Sequence, residues 1–247
     1  MLAAPSSAVP EARLKIAVVR FPGSNADWDA LHAARDVLGA DAEYIWHRST
    51  SLEGPDAVII PGGFSYGDYL RPGAIACFSP IVDAIREFAD RGGPILGICN
   101  GFQMLTELGL LPGALTRNRQ LRFECRDVWV RTEGRGPFTG AMAEGEVLRL
   151  PIAHADGRYH CDEQTLRVLE DEGRVAFRYC GEDGEVRDSF PDNPNGSVAN
   201  IAGIYDTRRR VLGMMPHPER ASEAILGNED GFRLFDSLRR HLEGGAA

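Results

Sequence analysis

The chain has 247 residues, 43% of them apolar and 26% charged, with a formal charge of -9. That size and apolar content suit one large α/β domain, and the negative balance argues against nucleic acid or an anionic membrane surface as a main partner. No apolar run approaches the roughly 20 residues of a membrane span.

Residues 1–13, M-L-A-A-P-S-S-A-V-P-E-A-R, carry no basic n-region and no long apolar core. They are expected to be a flexible tail, not a signal peptide, ahead of a single domain over 14–247. Residues 14–20 form a continuous apolar run of strand length, and 26–38 follow as an amphipathic helix stopped by Gly39. Short strands are expected over 43–47 and 56–60, the second ending at Pro61-Gly62-Gly63. A helix over 79–91 stops at Gly92-Gly93; strand 94–98 and helix 102–108 then flank Cys99. Uniformly apolar strands alternating with helices imply a parallel sheet covered on both faces. After about residue 120 the pattern changes to strands over 122–132, 146–152, 174–180, 198–205 and 211–215, with turn signals between them. A helix over 230–242 closes the chain. The expected fold is α/β: an open, mostly parallel sheet with helices on both faces and added antiparallel strands in the second half.

Cys99 is the residue of most chemical interest. Gly97 and Gly101 flank it at two residues on either side, between a buried strand and a helix. This is the nucleophile elbow, with sulfur in place of a serine hydroxyl. A thiolate there would sit at a helix N-terminus, whose free N–H groups stabilise it and can also hold an oxyanion. A small buried cysteine at a strand end is the plainer alternative. A nucleophilic cysteine needs a base, and the base an orienting group. His217 lies in G-M-M-P-H-P-E-R (213–220), with Glu219 two residues on. Prolines on both sides favour extended backbone, which puts both side chains on one side. Gly62 and Gly63, in P-G-G-F-S-Y-G-D (61–68), would let backbone N–H groups approach a substrate and complete an oxyanion hole with the N–H of Asn100. The loop lacks the Gly-Lys-Ser/Thr ending of a phosphate loop.

The remaining signals are weaker. His154, Asp156 and His160 do not match the spacing of a metal site, so no metal is expected. Five cysteines, widely spaced and without a C-x-x-C pair, fit a reducing cytoplasm. Cys77 reads as core, and Cys125, Cys161 and Cys180 as structural. Asn195-Gly196-Ser197 matches a glycosylation sequon but reads as a turn. Arg117, Arg119, Arg122 and Arg126 form a basic cluster, either a solvated face or an interface.

Elbow cysteine, glycine loop and downstream H-P-E together resemble the class I glutamine amidotransferases, over nearly the whole chain after residue 13. The resemblance implies a flavodoxin-like fold and hydrolysis of glutamine to glutamate and ammonia. It maps Cys99 to the nucleophile, His217 to the base and Glu219 to its orienting acid. Gly63 and Asn100 map to oxyanion donors, and Gln103 to a substrate contact. F-S-Y-G-D-Y-L-R (64–71), P-I-A-H (151–154) and N-P-N-G-S (193–197) point to one branch. In that branch the glutaminase is a separate subunit in purine biosynthesis. Its ammonia goes to a synthetase subunit that uses ATP and Mg, and a small third subunit is expected beside them. The branch usually reads H-G-E-G after P-I-A; here His154-Ala155-Asp156-Gly157 stands there. Other elbow-cysteine hydrolases, such as peptidases, and chaperone-like proteins of similar fold generally lack H-P-E at this position. A non-catalytic partner subunit would not need Cys99, His217 and Glu219 intact.

Overall fold

The computed structural model describes residues 13–244. All of the expected tail except Arg13 lies outside the described residues. The apolar runs form the strands β1 (Lys15–Arg20), β2 (Asp41–Trp46), β3 (Ala57–Ile60) and β4 (Ile95–Ile98). Among them run the helices α1 (Asp27–His32) and α2 (Ile81–Asp90), and α3 (Asn100–Glu107) follows β4 directly. The helix expected over 26–38 is present, but its second half, Ala33–Val37, widens into a π-helical turn.

Downstream come β5 (Ala114–Thr116), β6 (Glu124–Thr132), β7 (Val147–His154), β8 (Arg158–His160), α4 (Glu163–Asp171) and β9 (Val175–Cys180). The last elements are β10 (Ile201–Tyr205), β11 (Val211–Met214) and α5 (Phe232–Gly244). The strand expected over 198–205 starts at Ile201, because Ala199 and Asn200 take positive φ (48° and 57°) in a 3-10 turn. Sequence reading did not find α4, β5 or β8.

One nine-stranded sheet runs in the order β2-β1-β3-β4-β11-β10-β9-β6-β7. The first five strands are parallel, which is the flavodoxin-like order with β11 as fifth strand. The last four pair antiparallel. β3, β4 and β11 are buried at every position, as strands covered on both faces must be. β6 and β7 instead alternate buried and more exposed residues, as expected where one face meets water. β5 and β8 make a separate two-stranded sheet. β4 and β11 are neighbours in register, Gly97 opposite Gly213 and Ile98 opposite Met214. The chain therefore leaves two adjacent parallel strands at the same carboxyl edge, at Cys99 and just before His217.

Candidate active site

Cys99 takes φ 52° and ψ -104°, a conformation that L-residues rarely adopt. Its surroundings hold it there. Its N–H donates to Met214 O at 2.8 Å, and its carbonyl accepts the first bond of α3, from the Gln103 N–H, at 3.1 Å. The flanking glycines are steric requirements. A Cβ on Gly101 would lie 2.0 Å from Ile60 O, and one on Gly97 2.4 Å from Leu105 Cδ1. Strand, turn and helix can pack this closely only without those side chains.

His217 follows β11 and is fixed through its N–H, which donates to Pro151 O at 2.8 Å. Its Nδ1 lies 2.6 Å from Glu219 Oε1, with both residues 2% exposed. The pair forms, but not through the extended backbone that the motif suggests: Pro218–Arg220 make a 3-10 turn, which brings Glu219 back to the His217 ring. Burial by itself lowers the imidazole pKa. The Glu219 carboxylate and the Cys99 sulfur outweigh it and raise the pKa to about 10. The sulfur acts on the ring but lies outside hydrogen-bond geometry, so His217 Nε2 is buried without a partner. Such a looseness is common before substrate binds. Gly62 packs against both groups: a Cβ there would sit 2.6 Å from His217 Cε1 and 3.4 Å from Cys99 Cβ.

The glycine loop after β3 is pinned by backbone hydrogen bonds. Asn25 and Ala26 N–H groups donate to Gly62 O, and Phe64 N–H donates to Gly23 O. The Gly63 N–H has no acceptor among the described residues. The N–H of Asn100 stands in the first turn of α3, where a helix leaves its donors free. Both expected oxyanion donors therefore lie beside Cys99, Gly63 sharing its cavity and Asn100 following it in the chain. The Asn100 side chain has a different task. Its Oδ1 accepts from Ser65 N–H at 3.1 Å, and its Nδ2 donates to Gln103 Oε1 at 2.8 Å and Asp68 Oδ1 at 3.3 Å. Gln103 lines the cavity, but its amide is already engaged: Nε2 donates to Asp156 O at 2.7 Å. It ties α3 to the 154–157 loop and so braces two walls of the cavity that it lines.

Sequence reading left three side chains at this site without a role. Asp68 lines the cavity, and burial and Asp156 push its carboxyl up to about 6. His154 is buried, and burial and His217 push its imidazole down to about 3. Asn118 is fully buried and holds the 154–157 loop from behind: its N–H donates to Ala155 O at 2.9 Å and its Nδ2 to His154 O at 2.9 Å. Segments 64–71 and 151–154 carried a signal for the first two; nothing in the sequence around Asn118 did. The N-P-N-G-S segment supports the same loop. Asn195 is wholly buried and donates to Gly157 O at 2.8 Å, so the sequon is an internal turn.

The other candidates lie apart. Cys77 is half-buried, not core, and Cys125 is exposed, while Cys180 is buried. Arg119 pairs with Asp188 at 3.2 Å, and Arg126 lies over the Phe190 ring. Among the described residues no group of three acidic, cysteine or histidine side chains could hold a metal ion, and no helix is long and apolar enough to cross a membrane. A larger cleft of about 450 Å³ beside Asp90, Arg174 and Arg208 holds no cysteine or histidine.

Residues 13–240 match the family model of the CobB/CobQ-like glutamine amidotransferase domain. The chain is 54% identical over 226 residues to phosphoribosylformylglycinamidine synthase subunit PurQ of Koribacter versatilis, covering 91% of this chain and 97% of the relative. PurQ of Aquifex aeolicus is also 54% identical, with 91% and 99% covered. Among solved structures, a chain of PurLQS from Thermotoga maritima superposes with a TM-score of 0.81 at 42% identity, covering 93% of this chain and 99% of that one.

Proposed function

The chain belongs to the CobB/CobQ-like glutamine amidotransferases, and we infer that it is the glutaminase subunit of a phosphoribosylformylglycinamidine synthase. The observation that carries this reading is the buried His217–Glu219 pair beside the strained Cys99, on relatives alike over nearly their whole length. Cys99 attacks the side-chain carbonyl carbon of glutamine. The carbonyl oxygen becomes an oxyanion held by the N–H groups of Gly63 and Asn100. His217, cationic beside Glu219, gives a proton to the departing nitrogen as the C–N bond breaks, which leaves a thioester and ammonia. It then takes a proton from water, which attacks the thioester and releases glutamate and the thiol.

ATP and Mg belong to the partner in this scheme. A synthetase subunit, assisted by a small third subunit, combines the ammonia with formylglycinamide ribonucleotide at the expense of ATP. It yields the amidine, ADP and phosphate, a step of purine synthesis placed in the cytoplasm. The test is Cys99→Ala in the assembled complex. Glutamine-dependent synthesis should vanish while synthesis from added ammonia persists, because the synthetase site is on another chain. Substantial glutamine-dependent synthesis by the variant would refute the assignment.

A further inference from the structure

We propose that His154 distinguishes a carboxamide from a carboxylate: its Nε2 accepts a hydrogen bond from the –NH2 group of the bound glutamine. This inference rests on the glutaminase reading above. Its first support is the tautomer, which the neighbours determine without sight of a hydrogen. Asn118 Nδ2 donates to two carbonyls, Arg122 O at 2.8 Å and His154 O at 2.9 Å. The opposite side of that amide is therefore the oxygen. It accepts from Gly157 N–H at 3.0 Å and lies 3.1 Å from His154 Nδ1. Only an Nδ1–H can meet an oxygen there, so Nε2 carries the lone pair.

The ring cannot escape this orientation. It lies on the Cα of Gly157, where a Cβ would come within 2.2 Å of Cε1 and 2.3 Å of Nδ1. Nε2 is buried and has no partner among the described residues. A buried acceptor left unpaired is costly and calls for a donor. Burial and the neighbouring His217 keep the imidazole neutral, so the donor must come from outside.

His154 lines the same cavity as Cys99. When the thiolate adds to the carbonyl carbon, the oxygen goes to the N–H donors of Gly63 and Asn100. The –NH2 group then has hydrogens to donate and a lone pair to protonate. His154 as an acceptor and His217, protonated at that stage, as a donor suit that one group. The product glutamate presents oxygen lone pairs in its place, which face the lone pair of Nε2. A site built around a substrate N–H discriminates strongly against an analogue without it.

The test uses the chain assembled with its synthetase. The KM for glutamine and the inhibition constant of glutamate are measured for the wild type and for His154→Phe. The variant should raise the KM by about tenfold or more and leave glutamate binding equal or tighter. A parallel loss of both ligands, or no change in either, would overturn the proposal. If His154→Phe does not fold, ¹⁵N-histidine spectra of the Cys99→Ser protein decide. His154 should show the neutral Nδ1–H form between about pH 5 and 8, and its Nε2 resonance should respond to glutamine but not to glutamate. An Nε2–H form, or equal response to both ligands, would refute it. A wild-type complex without glutaminase activity would instead remove the parent reading.

Discussion

Two buried imidazoles share this site and titrate in opposite directions. His217 has its pKa raised to about 10. Its ion pair therefore stabilises the fold fully below about pH 6.5 and loses that contribution as pH rises through about 10. His154 has its pKa lowered to about 3, so the unfolded chain binds a proton there that the folded chain refuses. Stability should fall as pH drops below 6.5. Between pH 6.5 and 5 the loss from this residue is about 1.6 kcal/mol, the slope reaching about 1.4 kcal/mol per pH unit only once the unfolded imidazole is fully protonated. Urea unfolding at the two pH values should show that loss in the wild type and its absence in His154→Phe. The roles of His217 and Glu219 separate by kinetics. His217→Ala should lower glutamine turnover by about 10³–10⁴-fold, since it removes proton transfer itself. Glu219→Gln should cost about 10- to 100-fold less, because the imidazole remains and only its charge and tautomer lose support. A larger loss from Glu219→Gln, measured as ammonia released, would reverse the assignment.

At the scale of elements, the turns around Cys99 depend on absent side chains, and two of them fail differently. Gly101→Ala would drive a Cβ into the Ile60 carbonyl, a backbone atom that cannot give way. It should lower stability by about 1–3 kcal/mol or more. Gly62→Ala would instead displace the His217 ring. It should unfold at a temperature closer to wild type yet lose about 10²-fold in turnover, the scale expected for a displacement of about 1 Å. Thermal melts and turnover assays on the two variants check this contrast. The elbow glycines, the H-P-E spacing and the apolar parallel strands were legible in the sequence because local sterics and burial dictate them. Gly62's packing on His217 was not, since it is a contact between distant segments. α4 was missed although Asp162 caps it, accepting from Thr165 N–H at 2.7 Å, because only Leu169 on it is buried and the apolar stripe is thin. β5 and β8 are three residues each and exist only as a pair. Asn118 was invisible because its partners come from a loop far along the chain, and an asparagine among arginines reads as surface.

For the whole molecule, the cavity at Cys99 is too small for its task. Its volume is about 50 Å³, room for a few waters. Phe64 lines the cavity and is exposed, with the exposed Phe123 ring 6.5 Å from it, and Tyr69 and Leu70, next in the chain after the lining residue Asp68, are exposed as well. Tyr66, Asp68 and Leu70 in the bordering loop hold positive φ, so that loop is strained as well as exposed. Apolar side chains gathered at a site are a usual mark of a docking surface. The isolated chain is expected to be a poor glutaminase, and docking of the synthetase to raise turnover about 10- to 100-fold. That needs only about 1.4–2.8 kcal/mol of added transition-state stabilisation. Glutamine hydrolysis by the chain alone and by the chain with synthetase, ATP and ribonucleotide compares the two; equal turnover would exclude gating.

The placement of β11 between β4 and β10 has a consequence for how the protein is made. The thiol is made just after β4. Its base is made only after β11, the strand that lies beside β4 and joins the parallel half of the sheet to the antiparallel half. Until then the nascent chain carries a cysteine without its histidine. The cysteine therefore meets its base only once β11 has paired with β4.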